Sequence, residues 1–185
     1  MAKLRINKLD AARRQLDAAI RFTFLNEDPV AIHSVVAAGY RIVRDICERR
    51  GNIESYLRFT DWIAEGYESK FWSLMNASAN FIKHANNDPD AIHDFDDEQS
   101  DFMILSASKW YGDLGNARSK EMNVFAMWWS VQNPKALTPE YLLQIERAGY
   151  GYQFKVIKDS MSEFNRADRL KAGLVMLDPT AKIEF

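Results

Sequence analysis

Three features of the sequence predict an all-α protein, an antiparallel helical bundle of about six to seven helices. Apolar residues recur at helical spacing in nearly every segment, and no run alternates as a half-buried strand does. Only 8 of the 185 residues are Gly and 5 are Pro, too few for a turn-rich all-β domain. Several of those Gly and Pro fall where one apolar stripe stops and the next begins. With 47% hydrophobic and 27% charged residues, the chain has the balance of a globular domain. Its length suits one domain, read as residues 1–177, followed by a weakly structured tail at 178–185.

The elements follow in order. Leu9, Ala12, Leu16, Ala19, Ile20 and Phe24 form one stripe and predict a helix over 8–25. Asp28 is a good N-cap and Pro29 suits the first helical position, so a second helix starts there and runs to about Arg50. Arg49 and Arg50 favour its negative end, and Gly51 supplies the residue past it. Two helices joined so closely make an antiparallel hairpin. A shorter helix is expected over 53–65. Another is expected over 67–86, with Phe71, Leu74, Met75, Ser78, Phe81, Ile82 and Ala85 on its apolar face. The acidic stretch Asp88–Gln99 reads as irregular, and Ser100 as the cap of a helix reaching Trp110. Gly112 and Gly115 end that helix, and 118–132 form the next. Thr138-Pro139 opens a short helix to Ala148, and Phe154, Ile157, Met161 and Phe164 predict one last helix over about 153–173. The motif Asp28-Pro29-Val30-Ala31-Ile32-His33 has an echo in Asp88-Pro89-Asp90-Ala91-Ile92-His93. It extends no further, and is read as coincidence at a favoured helix-start signal.

Net charge is −2, so no overall basic field marks a nucleic-acid binder. Residues 1–50 carry 10 Lys and Arg against 6 Asp and Glu, whereas 51–100 carry 3 against 10. Two faces that complement each other within one fold account for this asymmetry. The single cysteine, Cys47, lies in an amphipathic stretch and reads as a buried, inert thiol. A basic start followed by an apolar run is absent, as is an apolar run of about 18 residues. A cytoplasmic protein with no membrane span is expected.

Chemistry is best placed on Asn80-Phe81-Ile82-Lys83-His84. Asn76, Asn80 and Lys83 fall opposite the apolar stripe, with His84 on its flank and one turn from Asn80. A neutral imidazole can move a proton at a hydroxyl, Asn80 and Asn76 can orient a ligand, and Lys83 can meet a phosphate. The alternative is a solvated helix end carrying a histidine near the negative dipole. On the second helix His33, Tyr40 and Arg44 share one flank, and Arg44 is a candidate cation for a site with His84. The competing reading of His33 is a boundary histidine bonded to its neighbours. Asp88, Asp90, His93, Asp94, Asp96 and Asp97 offer metal-type ligands without calcium-loop or zinc spacing, so no metal is assigned. Gly-rich phosphate loops and nucleophile motifs are lacking, and no cofactor is expected.

The strings Lys8-Leu9-Asp10-Ala11-Ala12-Arg13-Arg14-Gln15, Asp28–His33, Asn80–Ala85 and Asp88-Pro89-Asp90 resemble a group of small bacterial all-helical proteins, over about the first half of the chain. The bundle with a polar residue followed by His also resembles the HEPN superfamily, helical domains that bind nucleotides or cleave RNA and are often dimeric. Their motif is an Arg, a polar residue, a short spacer and a His. Asn80 takes the polar place and His84 the His, while Ala79 stands where the Arg belongs. The resemblance therefore implies nucleotide or RNA binding by His84 and Asn80, with catalysis put in doubt by the missing cation. The alternative is a non-catalytic protein-interaction or antitoxin-like component. Five Trp, two of them adjacent at Trp128 and Trp129, suggest core packing with a homodimer surface as second role, to which the last helix adds its own stripe.

Overall fold

A computed structural model describes residues 3–56, 68–84, 86, 88–134, 139, 143, 147 and 151–181, leaving aside the side chains at 68–72, 74 and 153. Among them seven helices are delimited: α1 (Lys8–Phe24), α2 (Pro29–Arg50), α3 (Glu68–Lys83), α4 (Glu98–Asp113), α5 (Lys120–Gln132), α6 (Gly151–Met161) and α7 (Arg166–Leu177). No described residue is in a strand. The protein is an all-α helical bundle. No helix among the described residues is long and apolar enough to cross a membrane.

Local chemistry sets the first two helices as predicted. Asn7 caps α1 through Asp10 N, and Asp28 caps α2 through Ala31 N with Pro29 as the first helical residue. Gly51 closes α2 at φ 66°, a left-handed position that glycine tolerates. The hairpin of α1 and α2 is the most extensive pairing, and α4 lies chiefly on α2. Helix α5 bridges α1, α4, α6 and α7, and α3 packs on α2. At the centre, Phe24 meets Phe125 at 5.9 Å and the edge of Trp128 at 5.4 Å. Gly173 of α7 lies so close to Phe24 that a Cβ there would come within 2.3 Å of the ring.

Four expectations change. The last helix is two: α6 ends at Met161, and Asn165 caps α7 by accepting from Asp168 N at 3.0 Å. The helix expected from Ser100 begins earlier, at Glu98, which puts Ser100 inside its first turn and buries it. Of the two roles expected for the Trp pair, Trp128 takes core packing and not a surface role. It is buried and its Nε1 donates to Arg169 O, while Trp129 is half-buried against the same core. The acidic middle is tied to the C-terminal helix by Arg166, which pairs with Asp97 at 3.0 Å and Asp101 at 2.9 Å; it is not simply matched to the basic hairpin. The Asp88–His93 echo forms a turn followed by irregular chain, unlike the helix start at Asp28. Residues 178–181 make a turn in which Asp178 accepts from Thr180. Of the helix expected over 53–65 only Ile53–Tyr56 is described, and most of 138–148 also lies outside the described residues.

Candidate functional site

Helix α3 ends at Lys83, and its last turn is closed by the His84 N–H donating to Asn80 O at 3.1 Å. Asn80, Lys83 and His84 are exposed, as their helical phase predicts. Asn76 is half-buried and does not share that open face. Phe81, expected on the apolar face, is 39% exposed. The faces that turn inward are those of Met75, Ser78 and Ala79. Ala79, which precedes Asn80, is only 6% exposed and so lies on the buried side of the helix.

The chain then returns along the same face. His93 stacks on Phe81 with ring centroids 5.1 Å apart, and its Nε2 lies 2.9 Å from Ser78 Oγ. These two contacts pin the loop after α3 to the helix. Between them and the helix end lies an open surface depression lined by Asn80, Phe81, His84, Asp88, Ile92 and His93. Ile92 on its rim is 95% exposed.

His33 is near this surface and sealed from it. Its side chain is fully buried, edge-on to Phe95 at 5.2 Å, with Nδ1 3.0 Å from Ser100 Oγ. Nε2 has no hydrogen-bond partner. A proton on Nδ1, donated to Ser100, leaves Nε2 as an unpaired acceptor, which costs less than an unpaired buried N–H. Burial lowers the imidazole pKa to about 4, with the nearby His93 and Lys83 adding to the effect. His33 is thus a bonded histidine between helices.

The other members of that flank do not converge on His84. Tyr40 is buried against Trp110 at 5.5 Å, its hydroxyl has no partner, and burial pushes its pKa up. Arg44 pairs with Asp45 at 2.9 Å and Glu48 at 3.8 Å, and Glu48 also accepts from Tyr56 Oη at 2.7 Å. His33 packs on Phe95, two residues after the His93 that stacks on Phe81, so the start of α2 lies by the end of α3. Eleven residues further, Arg44 is displaced by about 16 Å along the helix axis. Arg44 is thus paired within its own helix and set well along α2 from its start.

The acidic stretch holds no metal-type constellation: among the described residues no group of three or more His, Cys, Asp or Glu is placed to hold a metal ion. Asp97 serves Arg166 and Asp96 accepts from Glu98 N. Two partners are not visible in the sequence: His93 for the side chains of α3, and Ser100 for His33. Neither has a local signal, because both contacts join segments distant in the chain.

Comparison of the chain with family models, with curated proteins and with solved structures finds no match.

Proposed function

We propose that the chain is a cytoplasmic, non-catalytic interaction protein, antitoxin-like in role, that contacts a protein partner through the surface around His84. The observation that carries this reading is the setting of His84. It stands on an open face, Ala79 turns into the bundle where a motif arginine would be needed, and Arg44 is engaged far along α2. Cleavage of a phosphodiester needs a cation at the developing charge, and among the described side chains of α3 this face offers Lys83 alone. The facing loop carries exposed Asp88, Asp90, Asp94 and Asp96, whose field opposes a phosphate backbone. Phe81 and Ile92 supply exposed apolar surface of the kind a partner covers. A homodimer belongs to the same reading, with exposed Tyr152 and Val156, one turn apart on α6, as its face in place of Trp128.

One observation favours the HEPN-like reading as second: Asn80, Lys83 and His84 do share one exposed helix end, as binding of a nucleotide or RNA through them requires. A filter-binding and cleavage assay on a single-stranded RNA pool decides between the two. Wild type and His84→Ala should behave alike, with no cleavage by either. A photo-crosslinker placed at Ile92 in cells should meanwhile give a discrete protein adduct that Phe81→Asp removes. RNA retention or cleavage that disappears in His84→Ala would replace the interaction reading with the nucleotide-binding one.

A further inference from the structure

Two exposed patches at opposite ends of the molecule have matching apolar character and opposite charge. The first is the depression beyond α3, where Phe81 and Ile92 expose apolar surface. Exposed Asp90 and Asp94 flank Ile92, two residues away on either side, and Asp88 lines the depression itself. None of these three carboxylates pairs with a cation among the described residues. Lys83 is exposed but does not line the depression. The second patch is the segment before α1. Leu4 and Ile6 are 68% and 46% exposed there. Lys3 and Arg5 alternate with them, exposed and without a carboxylate partner among the described residues. A single exposed aliphatic residue is ordinary. Two aliphatic pairs on one chain, one set among cations and the other among carboxylates, are complementary surfaces.

The segment cannot cover the depression of its own molecule. The start of α1 shares a groove with Ile46 and Arg50, near the end of α2. The depression lies by the start of α2, where His33 meets Phe95. From His33 to Arg50 the helix rises about 26 Å. The chain from Asn7 back to Lys3 spans at most about 14 Å. We propose that residues 3–6 of a second copy of this chain dock on the depression, with Leu4 and Ile6 against Phe81 and Ile92. Lys3 and Arg5 then meet the field of Asp88, Asp90 and Asp94. Because segment and depression lie at opposite ends, two copies set antiparallel make both contacts at once and close as a two-fold dimer. The inference rests on reading the His84 surface as a protein contact, and names the partner.

Sedimentation of the purified full chain at tens of micromolar tests the contact. Wild type should be a dimer that weakens as salt is raised. Leu4→Ser with Ile6→Ser, and separately Ile92→Asp, should give monomers. All three side chains are exposed, so these variants should keep the helical spectrum of wild type. Lys3→Glu with Arg5→Glu should weaken association about tenfold at low salt, and adding Asp90→Lys with Asp94→Lys should restore it. A photo-crosslinker in place of Ile92 should join two chains in the purified protein, through residues 3–6. A monomeric wild type would overturn the proposal, as would a charge reversal that the second reversal does not restore. A dimer that survives the Leu4/Ile6 variant and is lost in Tyr152→Asp would place the contact on α6 and overturn it too. If the crosslinker at Ile92 captures a protein in cells but never a second copy in purified protein, this inference fails while the reading of the surface stands.

Discussion

His33 and Phe81 show how far a side chain's neighbours decide its role. His33 is fully buried and bonded to Ser100, and its pKa falls from 6.5 to about 4. The unfolded chain binds a proton near pH 6.5, whereas the folded chain resists it until about pH 4. Stability is therefore complete above about pH 6.5 and is lost as the pH falls toward 4, by about 3 kcal/mol from this residue. Urea unfolding across that range should show the slope. His33→Asn keeps a hydrogen-bonding atom near Ser100 and should lower stability at pH 7 while flattening the slope; an unchanged slope would assign the effect to other groups. Phe81 gives a contrasting case. Its ring is covered on one side by His93, so Phe81→Ala should cost about 1 kcal/mol. Phe125 is fully buried between Phe24 and Trp128, and Phe125→Ala should cost about 3–5 kcal/mol. Comparable losses in the two variants would contradict the observed facing of α3. The exposed faces of Asn80 and Lys83 were legible from helical phase alone. The exposure of Phe81 was not, because its cover is His93, a residue of the loop after the helix that shields only one side of the ring.

At the scale of the element, starts and stops with their own chemistry were legible. Asp28-Pro29 and Gly51 satisfy orphan backbone groups locally, and each marks the boundary expected of it, whereas Ser119 caps a helix that starts two residues later than expected. The break between α6 and α7 was hidden because the apolar spacing of Phe154, Ile157, Met161 and Phe164 runs across it. One contact across the break and one from α5 favour it. Arg169 Nε donates to Phe164 O at 2.8 Å, and Trp128 Nε1 donates to Arg169 O. With Asn165 capping the new helix, α7 is turned so that Gly173 lies over Phe24. Gly173→Ala should therefore destabilise by about 1–3 kcal/mol, although Ala is the better helix former. Thermal unfolding checks it, and a variant as stable as wild type would mean that α7 can withdraw from Phe24 without loss.

Across the whole molecule, Arg166 joins the acidic middle of the chain to its C-terminal helix. It is the first residue of α7, where the helix dipole disfavours a cation, yet two carboxylates at the start of α4 hold it there. Through Arg166 the acidic segment is fastened to the C-terminal helix, which itself packs on α1 and α5. Removing the guanidinium leaves Asp101 buried with neither oxygen bonded. Burial already raises the Asp101 carboxyl above its ordinary range, with Arg166 pulling it back. Arg166→Met removes that opposing pull, so the folded form of the variant prefers a protonated Asp101 more strongly. A carboxyl with a raised folded pKa favours folding below the unfolded carboxylate range, and that advantage disappears as the pH rises through the folded value. The penalty for Arg166→Met should consequently be about 2–3 kcal/mol at pH 7 and smaller near pH 4; partial exposure of Arg166 keeps it below the cost of breaking a fully buried pair. Adding Asp101→Asn should restore part of the loss at pH 7, so that the double variant is more stable than the two single penalties together predict. Urea unfolding of the four proteins at both pH values measures this, and a penalty independent of pH and additive with Asp101→Asn would show that Arg166 acts by packing rather than by charge.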